Sequence, residues 1–141
     1  MNIKVIFLVL LFSILSAGCQ TTMIREDLAR VKPDQAETIA KDWAAMIAGR
    51  YPAKSVFQIN GQGEIGKALS DTLRSRGFGL ATVQQGETGS IPIEVRTDNF
   101  DVDGVLVSLV VEREIISRSY SIKTAHTEPN SRFTRLLNEG E

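Results

Sequence analysis

Apolar residues recur at helical spacing in two stretches of the chain. Ala36, Ile39, Ala40, Trp43, Met46 and Ile47 share one face of a helix. Its start is read at Asp34-Gln35-Ala36-Glu37, a capping box with Asp34 as N-cap and Glu37 three residues on, and Gly49 and Pro52 close it. Ile65, Ala68, Leu69, Thr72 and Leu73 form the inner stripe of a second helix over 64–76. Gly77 stands where a helix ends in a left-handed residue, with Phe78 as its apolar partner.

Between and after these stretches the period changes to two. Phe57 and Ile59 alternate with Gln58 and Asn60, which predicts a short strand near 55–60. Leu80 to Gln85 reads as another strand, followed by a turn at Gly86-Glu87-Thr88-Gly89. Ile91, Ile93, Val95 and Thr97 mark one face of a third, and Pro92 suggests an edge position or a strand beginning. After a loop over 98–104, Val105–Glu112 and Ile115–Lys123 form a hairpin around Arg113-Glu114. Val105, Val107, Leu109 and Val111 face one way, Leu106 and Val110 the other, so this strand is expected to be central. The order is α-β-α-β-β-β-β. It predicts an α+β fold, with two amphipathic helices on one face of a mostly antiparallel sheet of about five strands.

The first eighteen residues follow neither period. Lys4 precedes an apolar run over 5–15, interrupted only by Ser13, and the small residues Ser16, Ala17 and Gly18 lead to Cys19. That is the three-part anatomy of a secretory signal, and the run is shorter than the roughly 20 residues of a membrane span. Its ending resembles a bacterial lipobox, with Ser16 in the position three before the cysteine and cleavage expected between Gly18 and Cys19, the lipidation site. The expected division is a lipoprotein signal peptide over 1–18, a lipidated tether over 19–33, an α+β domain over 34–124 and a polar tail over 125–141. Gln20 follows the lipidated cysteine where an aspartate would be the usual inner-membrane retention signal. The expected location is therefore the outer membrane, with the domain facing the periplasm.

Cys19 is the single cysteine and His126 the single histidine, so neither a disulfide nor a Cys/His zinc site can be built. Loss of Lys4 with the signal changes 16 basic against 17 acidic residues to 15 against 17, a net of −2. No basic excess points to nucleic acid.

Three motifs invite chemistry. Gly61-Gln62-Gly63-Glu64-Ile65-Gly66 is a complete G-x-G-x-x-G between a predicted strand and helix, with Glu87 in the region of a ribose-binding acid. The chain is half the size of a doubly wound domain, and the plainer reading is a turn plus a glycine for close helix packing. Asn99-Phe100-Asp101-Val102-Asp103-Gly104 opens like a calcium loop, but Val110 stands where the bidentate acid is required. An ordinary turn is favoured over a weak surface site. Ser117, Ser119 and Ser121 alternate along a strand without a paired base, and Glu112, Arg113, Glu114 and Arg118 read as a solvated, self-compensating hairpin end. Trp43, at helical spacing among aliphatics, reads as core rather than ligand platform. No cofactor, metal or catalytic residue is expected.

Nearly the full length resembles the TrbH family, lipoproteins of plasmid conjugal transfer. The resemblance runs from the lipobox and tether through Ala44-Ala45-Met46-Ile47-Ala48-Gly49-Arg50-Tyr51-Pro52. It continues in Gly66-Lys67-Ala68-Leu69 and Leu73-Arg74-Ser75-Arg76-Gly77-Phe78. It ends in Gly104-Val105-Leu106-Val107-Ser108-Leu109-Val110-Val111 with Ile116-Ser117-Arg118-Ser119-Tyr120, and departs at Glu112-Arg113-Glu114, where a smaller glycine-bearing turn is expected. The resemblance implies a lipid-anchored accessory subunit of a type IV secretion channel, held to the membrane and touching other channel subunits, with no enzymatic activity, small-molecule ligand or direct nucleic-acid contact. Strand addition at the Ile91 strand or the hairpin would suit such contacts. An entry-exclusion or envelope assembly lipoprotein is the alternative.

Overall fold

The computed structural model describes residues 31–61, 63–82, 89–123 and 126–137. Helix α1 spans Pro33–Ala48 and α2 Glu64–Ser75; the strands are β1 Val56–Asn60, β2 Gly79–Leu80, β3 Ile91–Asp101, β4 Gly104–Val111, β5 Glu114–Ser121, β6 Glu128–Pro129 and β7 Thr134–Leu137. The sheet runs β2-β1-β3-β4-β5, with both β6 and β7 on the far side of β5. The α+β class and the two helices agree with the sequence reading, but the sheet has seven described strands rather than five.

The helix faces are those the periodicity picks out. Ala36, Ile39, Ala40, Trp43, Ala44 and Ile47 of α1 are wholly buried, with Met46 only partly so. Ile65, Leu69 and Leu73 of α2 meet Phe57, Ile93, Val105, Val107, Leu109, Ile116 and Tyr120 in the same core. The core lies between the helices and one face of the sheet.

Helix α1 starts two residues earlier than its capping box suggests. Its N-cap is Lys32, and Pro33 is the first helical residue, where a missing N–H costs nothing. Gln35, not Glu37, reaches back: its Oε1 accepts the Lys32 backbone N–H at 2.9 Å, while its Nε2 donates to the Ile122 carbonyl at 3.1 Å. One buried amide thereby caps the helix and pins it to the end of β5. Asp34 lies within the first turn, where a negative charge favours the helix dipole. The tether expected to end at residue 33 is outside the described residues up to position 30, and Val31 is already buried in the core.

Gly77 behaves as its position predicts. Its φ is +88°, the Gly77 N–H donates to the Arg74 carbonyl at 3.0 Å and the Phe78 N–H to the Leu73 carbonyl at 3.1 Å. These two bonds are the paired closure of a Schellman ending, with Phe78 folded into the core.

Three strand expectations change. Strand β1 pairs in parallel with both β2 and β3, so β1-α2-β2 is a crossover unit inside the sheet. Strand β3 is interior, not an edge. Pro92 is its second residue and precedes the β4 pairing, which begins at Ile93, so its missing donor falls where the ladder has one neighbour. The loop expected over 98–104 is mostly strand: Asp98 pairs with Leu106, Asn99 with Val105 and, after a bulge, Asp101 with Gly104. Polarity misled there because the pairing with β4 runs on past the covered part of the sheet: exposed Asp98 lies on the face without described helices, while Asn99 is opposite Val105. Of the strand expected over 80–85, Leu80 belongs to β2, the Ala81 N–H still donates to the Phe57 carbonyl at 2.8 Å, and 83–85 lie outside the described residues.

Of the tail expected over 125–141, the described residues 126–137 include two strands. Strand β7 pairs with Glu114–Ser117 and β6 with Tyr120–Ser121, while Phe133 packs edge-on to Trp43 at 4.9 Å between ring centroids. An aromatic contact with a distant helix thus joins strand pairing in ordering a segment whose local sequence is polar.

Two glycine substitutions should separate backbone strain from packing. Gly77→Ala meets no atom within 4 Å, so it should cost only the left-handed penalty, about 1–2 kcal/mol in chemical denaturation. A Cβ at Gly66 would lie 2.7 Å from the Gly61 carbonyl oxygen, so Gly66→Ala should cost about 1–3 kcal/mol and also shift the Gly61 amide resonance. An unshifted Gly61 amide would refute the close approach of α2 to the end of β1.

Candidate docking surface

Because both helices cover one face, the other face of the sheet is free of helices among the described residues. Strand alternation fills it with Glu94, Arg96 and Asp98 from β3, Leu106, Ser108 and Val110 from β4, and Ile115, Ser117 and Ser119 from β5. Thr134 and Leu136 of β7 continue it. Glu94 and Arg96 form a two-bonded pair at 2.9 and 3.1 Å, which also raises the Arg96 guanidinium pKa. The Ser108 and Ser117 hydroxyls meet at 2.8 Å. The serines expected to alternate along β5 therefore face a polar row of sheet, not a general base.

On the helix side two ionic clasps fix the end of the chain. Arg118 donates through Nη1 to both Asp42 carboxylate oxygens, at 2.9 and 2.7 Å, and Tyr120 donates its hydroxyl to Asp42 Oδ2 at 2.5 Å. The guanidinium also donates through Nε to the Ser131 carbonyl at 2.9 Å and stacks over Phe133 at 4.4 Å. One arginine thus joins α1, β5 and the segment before β7. Burial first, and the Asp42 hydrogen bond second, push the Tyr120 pKa well above its ordinary value, so the phenol stays a donor.

The second clasp is at the β4–β5 turn. Glu114 accepts from both Arg50, just beyond α1, and Arg135 of β7. The Arg135 hydrogen bond first, with Arg50 adding to it, lowers the Glu114 carboxyl pKa below its ordinary 4.5. Burial raises the neighbouring Tyr51 hydroxyl, with Arg50 opposing. The solvated, self-compensating hairpin end expected from sequence is corrected here. Glu112 and Arg113 are exposed, but Glu114 and Arg118 point to partners on α1, its C-terminal turn and the last strand. Glu112 takes a φ of +54° in the turn, the place where glycine is usual.

Among the described residues, the chemical motifs resolve into structure. In the glycine motif, Gly63 is the N-cap of α2 and Gly66 abuts the Gly61 backbone, which is the close-packing role. Glu87 lies outside the described residues. Asn99 and Asp101 belong to β3, Asp103 to a two-residue turn, and no cluster of three or more His, Cys, Asp or Glu that could hold a metal is found among the described residues. His126 is exposed. Gly18 and Cys19, the cleavage and lipidation positions, lie outside the described residues. No described helix is long and apolar enough to cross a membrane. A groove of about 390 Å³ between α1 and α2 is lined by Glu37, Lys41, Glu64, Lys67 and Asp71, a charge-mixed helix surface.

Sequence reasoning missed both assemblies: Asp42 with Arg118 and Tyr120, and Glu114 with Arg50 and Arg135. The signal was present only as unpaired charges on otherwise apolar-facing strand and helix positions.

A scan of protein families matches one, described as the conjugal transfer protein TrbH, over residues 18–137, and the chain belongs to that family. Comparison with curated proteins and with solved structures gave no match.

The clasps yield two expectations. Asp42→Asn and Tyr120→Phe should each destabilise by about 1–3 kcal/mol, and together by less than their sum, because they share one bond; strict additivity would deny the assembly. Glu114 has a lowered folded pKa, so its contribution is full above 4.5 and disappears as pH falls through the folded value. The melting temperature of Glu114→Gln should trail wild type at neutral pH, and the gap should close on acidification. A gap independent of pH would contradict the ionic role.

Proposed function

We propose that the chain is a lipid-anchored accessory subunit of the conjugal transfer apparatus, held at the outer membrane through Cys19 with its domain in the periplasm. The observation that carries this reading is the family match, which begins at residue 18, beside the lipobox cysteine. A conjugal transfer function for the family is joined to an N-terminal signal whose ending suits acylation. Two or more acyl chains hold a protein on a bilayer where one gives only marginal binding, at about 0.8 kcal/mol per buried methylene. The anchored domain then works by protein–protein contact. Its uncovered sheet face and its last strand supply main-chain and apolar groups for that purpose.

The surfaces for such contact differ from those the sequence suggests. Strand β3, which contains Ile91, and the β4–β5 hairpin both have neighbours on each side within the sheet. The strand edges that a partner could extend are β2 at one end and β6 and β7 at the other.

Labelled palmitate should enter the wild-type protein and not Cys19→Ser, and deletion of the gene should sharply reduce plasmid transfer from donor cells. Cys19→Ser should reduce transfer as well, because anchoring raises the local concentration on which weak contacts depend. Wild-type protein should fractionate with the outer membrane. Normal donation combined with improved reception by the deletion strain would instead establish an exclusion protein.

A further inference from the structure

The two ends of the sheet are protected unequally. At the β2 end the edge is two residues long and carries Gly79. At the other end, β6 is two residues long and contains Pro129. Strand β7 has four residues, Thr134-Arg135-Leu136-Leu137, with neither proline nor glycine, and all four are exposed. Leu136 is 59% exposed and Leu137 71%, and with Val102 they are the exposed large apolar residues among those described. Charge, proline and brevity are the usual guards of an edge. Here the one charge, Arg135, is already engaged with Glu114.

The exposed leucine also ends a row. Val110 pairs with Ile115, and Ile115 with Leu136, so three aliphatic side chains lie abreast on the helix-free face and stop at the β7 edge. A strand added beyond β7 would bury Leu136 if it set an apolar residue opposite.

We propose that this edge is a self-association surface, on which β7 of a second copy adds antiparallel about a two-fold axis passing beside Leu136. Symmetry limits the registers to those in which a β7 residue pairs with its own copy. A two-fold normal to the sheet keeps the helix-free faces of both copies on one side, so facing positions must share a face. Pairing Arg135 with its own copy would oppose two guanidiniums, which is unfavourable. Pairing Leu136 with its own copy joins the two Val110–Ile115–Leu136 rows into one strip and sets each Arg135 across from the other copy's Leu137. This register covers the exposed leucines of both partners at once. A single partner strand of other origin would cover one set only.

Four residues a side make a small contact, below the roughly 1,000 Å² of a stable interface. The association is therefore weak and reversible, and grows with local concentration. It does not depend on the transfer function proposed above.

The test uses the full-length chain in detergent micelles, with Cys19 retained. Directly opposed strand residues have Cα atoms about 4.5–5.5 Å apart, within disulfide reach. Under mild oxidation Leu136→Cys should form a disulfide-linked dimer several-fold above wild type. Arg135→Cys, two positions out of register with its own copy, and Val102→Cys, a still more exposed control on a turn, should stay at the wild-type level. In sedimentation, wild type should shift toward dimer with rising concentration, whereas Leu136→Lys should remain monomeric with an unchanged circular dichroism spectrum. Equal cross-linking at positions 136 and 102 would overturn the proposal. So would wild-type sedimentation indistinguishable from that of Leu136→Lys, including the case in which Leu136→Lys impairs transfer, which would assign the edge to a different partner.

Discussion

The structure depends on the burial of one row of β4, Val105, Val107, Leu109 and Val111, beneath two helices that come from the same side. Each side chain of that row is almost or wholly removed from water, and at roughly 1.5–3 kcal/mol per aliphatic side chain such burial outweighs any single polar contact in the domain. Its consequence is asymmetry. The two described helices are spent on one face, so the opposite face must meet water without them. It does so with an ion pair on β3 and a serine pair across β4 and β5.

The polar clasps serve a different end. Asp42, Arg118 and Tyr120 lie at the margin of the core, and Glu114 lies at the far end of β5. Partly buried ion pairs seldom add much net stability, since desolvation offsets attraction. What they do contribute is direction. Arg118 can satisfy Asp42, Ser131 and the Phe133 ring only when the segment before β7 lies along β5. Glu114 can satisfy two arginines only when that strand is in the observed register.

Features determined by neighbours in sequence were legible beforehand. The inner stripes of α1 and α2 follow from period, and the positive φ of Gly77 from a helix stop with an apolar follower. So does the packing role of Gly66, since a turn glycine four or five residues before a helical glycine has no side chain to hold them apart. Features determined by distant partners were not. Nothing local says that Gln35 rather than Glu37 will cap α1, because its choice depends on Ile122. Pro92 marks a strand beginning locally, but only the reach of β4 tells that the strand is interior. Residues 98–101 look like a loop until their pairing with β4 is seen. The last strand is invisible in a polar tail because its partners are distant, Trp43 lying ninety residues from Phe133 and Glu114 twenty-one from Arg135.

The mixed pairing of the sheet has a kinetic consequence. Strands β3, β4 and β5 are joined by turns of two residues, so their ladders close short loops. Strand β1 joins β3 across an intervening helix, and the bonds from Asp42 to Arg118 and Tyr120 close separations of 76 and 78 residues. The entropy of closing a loop grows with its length, and contacts distant in sequence are the slow ones to form. The three-stranded meander is therefore the natural nucleus, and it carries seven of the nineteen buried apolar residues among those described. The first described helix, the one nearest the expected membrane anchor, makes the contacts with β5 that span the longest loops. A domain built this way stays unfinished until its two ends meet.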